Sequence, residues 1–532
     1  MQRRSVARAA AIVGSAYILS NLAGFLARLI INARFGTGAE QDAFRAAFII
    51  PDLLFNLLAG GALASAFIPT YVARLSNDQQ AHAWRLAKTV ALIVFFGLGA
   101  MAFIAGVFAE PLIAGVVARQ FSAEQVALTA SLMRIMLIST VIFGVSGLLM
   151  GVLQSNDSFL APALAPTLYQ LGMILGATLL AGLGVYGLAW GVVFGALMHL
   201  LVQLPALWRS AKRDWRLATG DSRGNLQSPI SNLHSPLYNL KSDVSQILRM
   251  MPPRVLGLSA VQVNALVTVS LASGIAGGVS AINNAFAIMI LPLAVIAQAI
   301  GTALFPAISA HAAKGEHDEF ARAFTQALAI SIALSAPASA GLVVLGEPII
   351  RILFERGQFD AQSTQWVAFA LAMYGIGLIG HAMLELVTRA FYALKDSVRP
   401  AIFAVGSMVL NIALSLLLAP AFASMGLLSF GGLALANSIA TALEAVVLYA
   451  LLLRREPRID PRVVAITFFK SALAAGVMAG VLFAWLRLAG DGLLATLAAM
   501  VIGAAVYFGL SLVIRNNAVQ PAFALVARRL RR

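Results

Sequence analysis

From Tyr17 to Asn56, charged and amide side chains recur at helical spacing within otherwise apolar sequence. Tyr17, Asn21, Arg28 and Asn32 are separated by steps of four and seven, which return to one face of an α-helix. Asp42, Arg45, Asp52 and Asn56 follow with steps of three, seven and four. A charge inside an apolar span costs roughly 2.5–3.5 kcal/mol on insertion scales, so its presence points to a ligand or a partner. Two polar stripes facing one another would line a hydrated cavity able to hold an ionic ligand. Ion pairs Arg28–Asp52 or Arg45–Asp42 that merely join helices fit the same spacing.

Further polar groups sit in later apolar stretches. Pro252-Pro253-Arg254 is followed by Ser259, Gln262 and Asn264. Asn283, Asn284, Gln298 and Thr302 come next, with Asn284 and Gln298 near one helical face. These amides serve a cavity and interhelical hydrogen bonding equally well. His381, Glu385 and Arg389 form an i, i+4, i+8 ladder suited to a proton relay or to a local ion pair. Glu444 stands alone. The chain carries no Walker-type phosphate loop, no His-Glu-x-x-His and no spacing that favours a Ser/His/Asp triad. With six His and no Cys, disulfides and thiolate metal sites are excluded and a metal enzyme is disfavoured. No enzyme and no cofactor are expected. Transport without a P-loop motor is passive, or coupled to a monovalent cation or the membrane potential.

The elements that position these residues are membrane helices. Runs such as Thr89–Ala109, Gly172–Phe194, Ala327–Leu345 and Ala401–Ala419 contain no Asp, Glu, Lys or Arg. Twenty apolar residues at about 1.5 Å each match a hydrocarbon core about 30 Å thick. The chain is 60% hydrophobic and 11% charged, which leaves no sizeable aqueous domain for soluble enzymology. The pattern predicts an all-α polytopic protein with about fourteen spans. They fall near 9–33, 42–72, 86–109, 125–153, 160–183, 186–208, 246–273, 280–310, 321–346, 364–392, 400–420, 428–453, 463–487 and 492–514. The basic N-terminus leads into an apolar run reaching Ile31, too long for a cleaved signal and read as an uncleaved first span.

The formal charge of +15 is distributed by side rather than by surface patch. Arg3, Arg4 and Arg8; Arg74, Arg85 and Lys88; Arg209 to Arg223; Lys314 and Arg322; Lys395 and Arg399; Arg454, Arg455 and Arg458; and Arg528 to Arg532 fall on alternate inter-span segments. The intervening loops hold only scattered basic residues. This is the positive-inside pattern for both termini in the cytoplasm. No aromatic-interleaved basic surface exists, so nucleic acid is not expected as a partner; membrane lipids are.

Two local patterns recur at an offset of about 240 residues, as an internal duplication would produce. Gly61-Ala-Leu-Ala-Ser-Ala-Phe67-Ile-Pro69 is similar to Gly301-Thr-Ala-Leu-Phe305-Pro306, and Asp157-Ser158 with Pro162 to Asp396-Ser397 with Pro400. An even number of intervening spans gives the copies the same orientation, as in parallel-repeat transporters. The expected organisation is a six-helix lobe over 1–208, a cytosolic linker over 209–245, a second six-helix lobe over 246–454 in parallel pseudo-twofold repeat, and a terminal two-helix pair with a basic tail over 455–532.

Asp42-Ala-Phe, Phe48-Ile-Ile-Pro51-Asp-Leu-Leu54 and Gly61 to Pro69 resemble the early-helix signature of the MurJ/MviN family. So do Phe159-Leu-Ala-Pro162-Ala-Leu-Ala-Pro166-Thr167, Pro253-Arg254-Val-Leu-Gly257 and Arg389-Ala-Phe-Tyr-Ala-Leu-Lys-Asp396. The resemblance runs from about Ala10 to about Leu453 and places the chain in the multidrug/oligosaccharidyl-lipid/polysaccharide exporter superfamily. It implies two six-helix lobes with two extra helices in the bacterial cytoplasmic (inner) membrane. It also implies outward flipping of lipid II, the undecaprenyl-pyrophosphate-linked peptidoglycan precursor, by alternating access, in concert with cell-wall synthesis proteins.

By that resemblance, cavity arginines that engage the pyrophosphate would occupy the positions of Asn21, Ala27, Phe55 and Ala287, and the family aspartate is matched by Asp42. A pyrophosphate in a low-dielectric cavity requires compensating positive charge. The candidate substrate-binding residues are therefore Asn21, Arg28, Asp42, Arg45, Asp52, Arg254, Asn284 and Gln298, with Arg28, Arg45 and Arg254 as substitute charge. Export of another polyprenyl-linked glycan or amphiphile, and a non-transporting cell-envelope scaffold, remain alternatives.

Overall fold

The computed structural model describes residues 2–58, 61–76, 80–218 and 236–519. Two compact units divide the chain, residues 1–270 and 271–532. Unit 1 contains α1 (Gln2–Phe35), α2 (Ala39–Ala47), α3 (Ile49–Leu58), α4 (Gly61–Ser76), α5 (Gln80–Val107), α6 (Ala109–Leu112), α7 (Ala123–Ser155), α8 (Leu160–Thr178), α9 (Val185–Leu201), α10 (Leu204–Ala218) and most of α11 (Pro236–Ala272). Unit 2 contains α12 (Gly278–Leu293), α13 (Ala299–Lys314), α14 (His317–Phe354), α15 (Ala361–Ile376), α16 (Leu378–Ala393), α17 (Val398–Ser424), α18 (Ser429–Arg455), α19 (Pro461–Ala489) and α20 (Leu493–Val513). Among the described residues no strand occurs, only an isolated bridge between Arg356 and Phe359.

Eleven helices among the described residues are long and apolar enough to cross a membrane, or twelve when α15 and α16, bent by 48°, count as one span. The shortfall from about fourteen has two sources. The expected span 42–72 is divided among α2, α3 and α4, and the expected span 246–273 lies within the single helix α11, whose side chains at 250–261 are outside the described residues. The break after α2 follows from Pro51, whose ring crowds the carbonyl four residues back, at Ala47, where α2 ends. Helices also run into both ends of the 209–245 stretch, as α10 to Ala218 and α11 from Pro236.

Within the units, helix ends are fixed by local chemistry. Ser122 and Gln125 form a reciprocal capping box at the start of α7. Asp360 accepts from the Ser363 backbone N–H at 2.8 Å and Asp460 from that of Arg462 at 2.9 Å, capping α15 and α19. Each unit contains helices that pack at backbone contact. A Cβ on Gly172 or Gly176 of α8 would overlap the backbone of α9 at Gly195 or Gly191, and one on Gly432 of α18 would overlap that of α17 at Leu418.

The helices that open these pairs begin after matching turns. Asp157 and Lys395 both adopt φ 58°, and the next residue in each case donates back across the turn at 2.9 Å, Ser158 to Leu153 and Asp396 to Phe391. In unit 2, α19 and α20 join the core through Tyr507, whose hydroxyl donates to the Ala333 carbonyl of α14 at 2.5 Å. Leu345, Leu482 and Ala499 pack around it.

One buried ionic contact pins α11 to unit 1. Asp243 accepts from Arg74 of α4 at 2.6 and 2.9 Å and lies 2.9 Å from the His82 ring of α5. Burial opposes ionisation of Asp243, yet hydrogen bonds from Arg74 and His82 and their charge hold its carboxyl below the usual carboxylate range.

Candidate functional site

Unit 1 gathers several of the sequence-predicted residues into one electrostatic neighbourhood. Arg28 of α1 lies within reach of the Arg45 charge on α2. Arg45 in turn senses Tyr169 of α8 and Asp42, and Tyr169 senses Asp52 of α3. Gln262 of α11 donates to the Asp52 carboxylate at 3.1 Å. Five helices thus contribute to one polar group, and the α2–α3 break sets the angle between Arg45 and Asp52.

The group holds two guanidinium groups, Arg28 and Arg45, and two carboxylates, Asp42 and Asp52. Two guanidinium groups held close in a low-dielectric setting raise one another's energy unless an anion lies between them. The Arg45 Nε is buried without a hydrogen-bond partner among the described residues, as is the Oε1 of Gln170, the neighbour of Tyr169. An unmade hydrogen bond of a buried charged group is costly, so such a donor suits an anionic ligand.

Of the other candidates, Asp42 belongs to the same neighbourhood through Arg45. Asp42 is fully buried, in company with Asn32 and Gln41. Gln41 donates to Asn32 at 2.9 Å and ties α2 to α1. Asn21 is exposed and donates to the carbonyl of Tyr17, one turn back, at 2.9 Å. The side chain of Arg254 lies outside the described residues. In unit 2, Asn284 is fully buried in α12. Gln298 ends a π-helical segment, Ala294–Gln298, that follows Pro292, and π-bulges are frequent at functional sites.

Ala27 is buried, and Phe55 contacts Phe143 edge-on at 5.9 Å. Phe143 contacts Tyr169 at 4.9 Å and His199 at 5.2 Å. An aromatic series therefore stands at a position where the resemblance puts charge. Below it, Ser146 lies 2.7 Å from His199 Nδ1 and accepts from Gln203 at 2.8 Å, a buried polar knot between α7 and α9.

The ladder in α16 resolves into separate contacts. Arg389 donates to Glu385 at 2.6 and 2.8 Å, whereas His381 lies 3.2 Å from Asn437 of α18. The polar contacts of α16 are an ion pair and an interhelical bond, not a continuous row. Glu444 is paired after all, by a hydrogen bond with Ser407 of α17.

Sequence reasoning missed Tyr169 and Gln170 as site residues. Their signal was two adjacent polar side chains within the apolar stretch of α8.

These features define a multi-span helical membrane transporter of the two-unit exporter type. A lipid II flippase MurJ solved in an inward closed conformation aligns with TM-score 0.77 and 21% identity over 95% of this chain and 99% of that one. An inward-facing multidrug resistance MATE family transporter of the MOP superfamily aligns with TM-score 0.65 and 17% identity over 83% and 94%. Both share the fold. The family model described as lipid II flippase MurJ matches residues 31–502, and the chain belongs to that family. The lipid II flippase MurJ of Burkholderia cenocepacia is 30% identical over 94% of this chain and 96% of its own. The probable lipid II flippase MurJ of Rhizobium meliloti is 30% identical over 85% and 81%.

Proposed function

We propose that this protein moves lipid II from the inner to the outer leaflet of the bacterial cytoplasmic membrane by alternating access, making and breaking no covalent bond. Membership in the flippase family supports the substrate. The observation that carries the reading is the buried Nε of Arg45, which lacks a partner among the described residues, with Arg28 within reach of the Arg45 charge. A pyrophosphate offers acceptor oxygens to both guanidinium groups. Asp52 and Tyr169 complete the polar wall and orient the pair. The positive-inside pattern supports cytoplasmic termini. An inside-negative potential then favours outward movement of an anion by about 2.3 kcal/mol per charge per 100 mV.

The test is transbilayer movement of lipid II in proteoliposomes. Arg28→Ala and Arg45→Ala are expected to slow it by about tenfold or more, the loss of one charge-assisted hydrogen bond, while lysine at either position restores part of the rate. Full movement with both alanines in one folded protein would remove the arginines from the mechanism. Equal or faster movement of a polyprenyl-pyrophosphate bearing a different glycan would redirect the substrate assignment. Phe55 and Asn21, standing where the resemblance puts arginines, make that comparison necessary.

A further inference from the structure

A second basic site lies in unit 2, apart from the residues used above. A cavity of about 550 Å³ opens between the first turns of α14, the first turns of α19 and the segment that follows α20. Arg322, Arg458, Lys470 and Arg515 line it, with Asp460 as the one carboxylate in the wall. The Asp460 carboxylate is engaged as the cap of α19.

The four cations are not equivalent. Arg458 pairs with Asp318 at 3.0 Å and Arg322 with Glu319 at 3.0 Å. Lys470 and the Arg515 side chain have no carboxylate partner among the described residues. Lys470 lies about 14 Å along α19 from Pro461, at 1.5 Å per residue. An α19 of 29 residues measures about 43 Å, roughly the whole bilayer with its headgroups, so the lysine is rooted below the hydrocarbon boundary. Its ammonium reaches back to the Arg515 carbonyl at 2.9 Å. This is the snorkelling geometry of a half-buried lysine, here aimed at a polar pocket.

Arg515 is unusual in its own right. It follows α20 in the left-handed region at φ 53°, and Asn516 closes the turn by donating to Ser511 at 2.8 Å. Glycine is the favoured residue at such a helix end. A non-glycine residue here bears a conformational cost of order 1 kcal/mol. The cost places a guanidinium on the rim of the cavity. The remaining wall mixes polar groups, Thr325, Gln326 and Thr467 among them, with apolar ones, of which Val463 and Ile466 are exposed on α19. The cavity thus has a cationic end and a greasy flank, the two halves of a phospholipid's chemistry.

We infer that this cavity binds a phosphate-bearing anion between Lys470 and Arg515, supplied by the headgroup of an anionic phospholipid whose chains lie along the Val463–Ile466 face. The basic segments on this side of the chain place the site in the cytoplasmic leaflet. Such a lipid would brace α19 and α20 against α14.

The experiment uses the full chain in nanodiscs of phosphatidylcholine with graded phosphatidylglycerol, and reads retained phosphatidylglycerol by native mass spectrometry after release. Lys470→Met and Arg515→Gly are expected to weaken retention by about tenfold each, whereas Arg487→Ala, at the other end of α19, leaves it unchanged. Arg515→Gly also separates binding from folding. Glycine suits the left-handed turn, so thermal stability in detergent without anionic lipid is expected to hold or rise while lipid retention falls. Retention equal to wild type in both pocket variants would overturn the site, as would an equal loss in Arg487→Ala. A parallel titration with inorganic phosphate in detergent distinguishes the sources. Protection by phosphate alone that disappears in Lys470→Met would keep the anion site and overturn the lipid assignment.

Discussion

Arg74 grips Asp243 through two guanidinium nitrogens, at 2.6 and 2.9 Å, across a sequence separation of 169 residues. The contact joins α4 to the opening turns of α11, and His82 of α5 completes it. Because the folded carboxyl is held below its ordinary range, the unfolded chain takes up its proton first as the pH falls. The stabilisation is fully present above an ordinary carboxylate pKa of about 4 and is lost as the pH drops further. Asp243→Asn is expected to cost roughly 1–3 kcal/mol at neutral pH and to remove this part of the acid sensitivity. Thermal unfolding in detergent from pH 7 to pH 3, compared with wild type, checks both signs.

Gly176 of α8 faces the Gly191 backbone with no space for a side chain. Gly176→Ala should force the α8–α9 pair apart and destabilise the protein by about 1–3 kcal/mol, typical of overpacking. Gly97, beside which a Cβ meets nothing within 4 Å, is the control, where alanine is neutral or slightly stabilising. Melting temperatures of the two variants give the contrast.

Tyr169 is half-buried and lies within reach of the charges of Arg45 and Asp52. Tyr169→Phe keeps the ring contact with Phe143 and removes the hydroxyl. Lipid II movement should fall by a few-fold, a loss of roughly 0.5–1.5 kcal/mol, with melting temperature nearly unchanged. An unaltered rate would confine Tyr169 to packing.

Glu444 holds a carboxyl within α18 against Ser407. Glu444→Gln retains a hydrogen-bonding group without a charge in the span. Stability should rise by on the order of 1 kcal/mol, since a charge within a span is costly. A lost transport rate at raised stability would show that the carboxyl is retained for its proton.

The helical architecture was legible because an apolar run of about twenty residues has few alternatives in a membrane. Breaks were harder. Pro51 divides α2 from α3 and Pro292 precedes the π-helical segment at Gln298, yet Pro166, Pro337 and Pro420 sit inside unbroken helices. Proline's effect depends on whether neighbouring helices satisfy the freed carbonyl, and that lies outside the local sequence. Helical periodicity brought Arg28, Arg45 and Asp52 forward as one site. The same periodicity proposed Asn21, which is exposed with a hydrogen bond to its own helix, and Asn284, a fully buried amide. Periodicity marks a face of a helix, but not what that face meets. Asp243 escaped notice because its partners are distant in sequence and it sits in a polar stretch that reads as linker.

The glycine seam between α8 and α9 has a mechanical consequence. Side chains between helices act as bearings, since their rotamers let one cylinder slip past another. Where Gly172 and Gly176 rest on the α9 backbone there are no bearings, and sliding would drive main chain into main chain. The pair is a stiff plate within unit 1. Any flexing that unit 1 undergoes during a transport cycle is then concentrated in its jointed part, α2, α3 and α4, where Arg45 and Asp52 sit on either side of the hinge at Phe48.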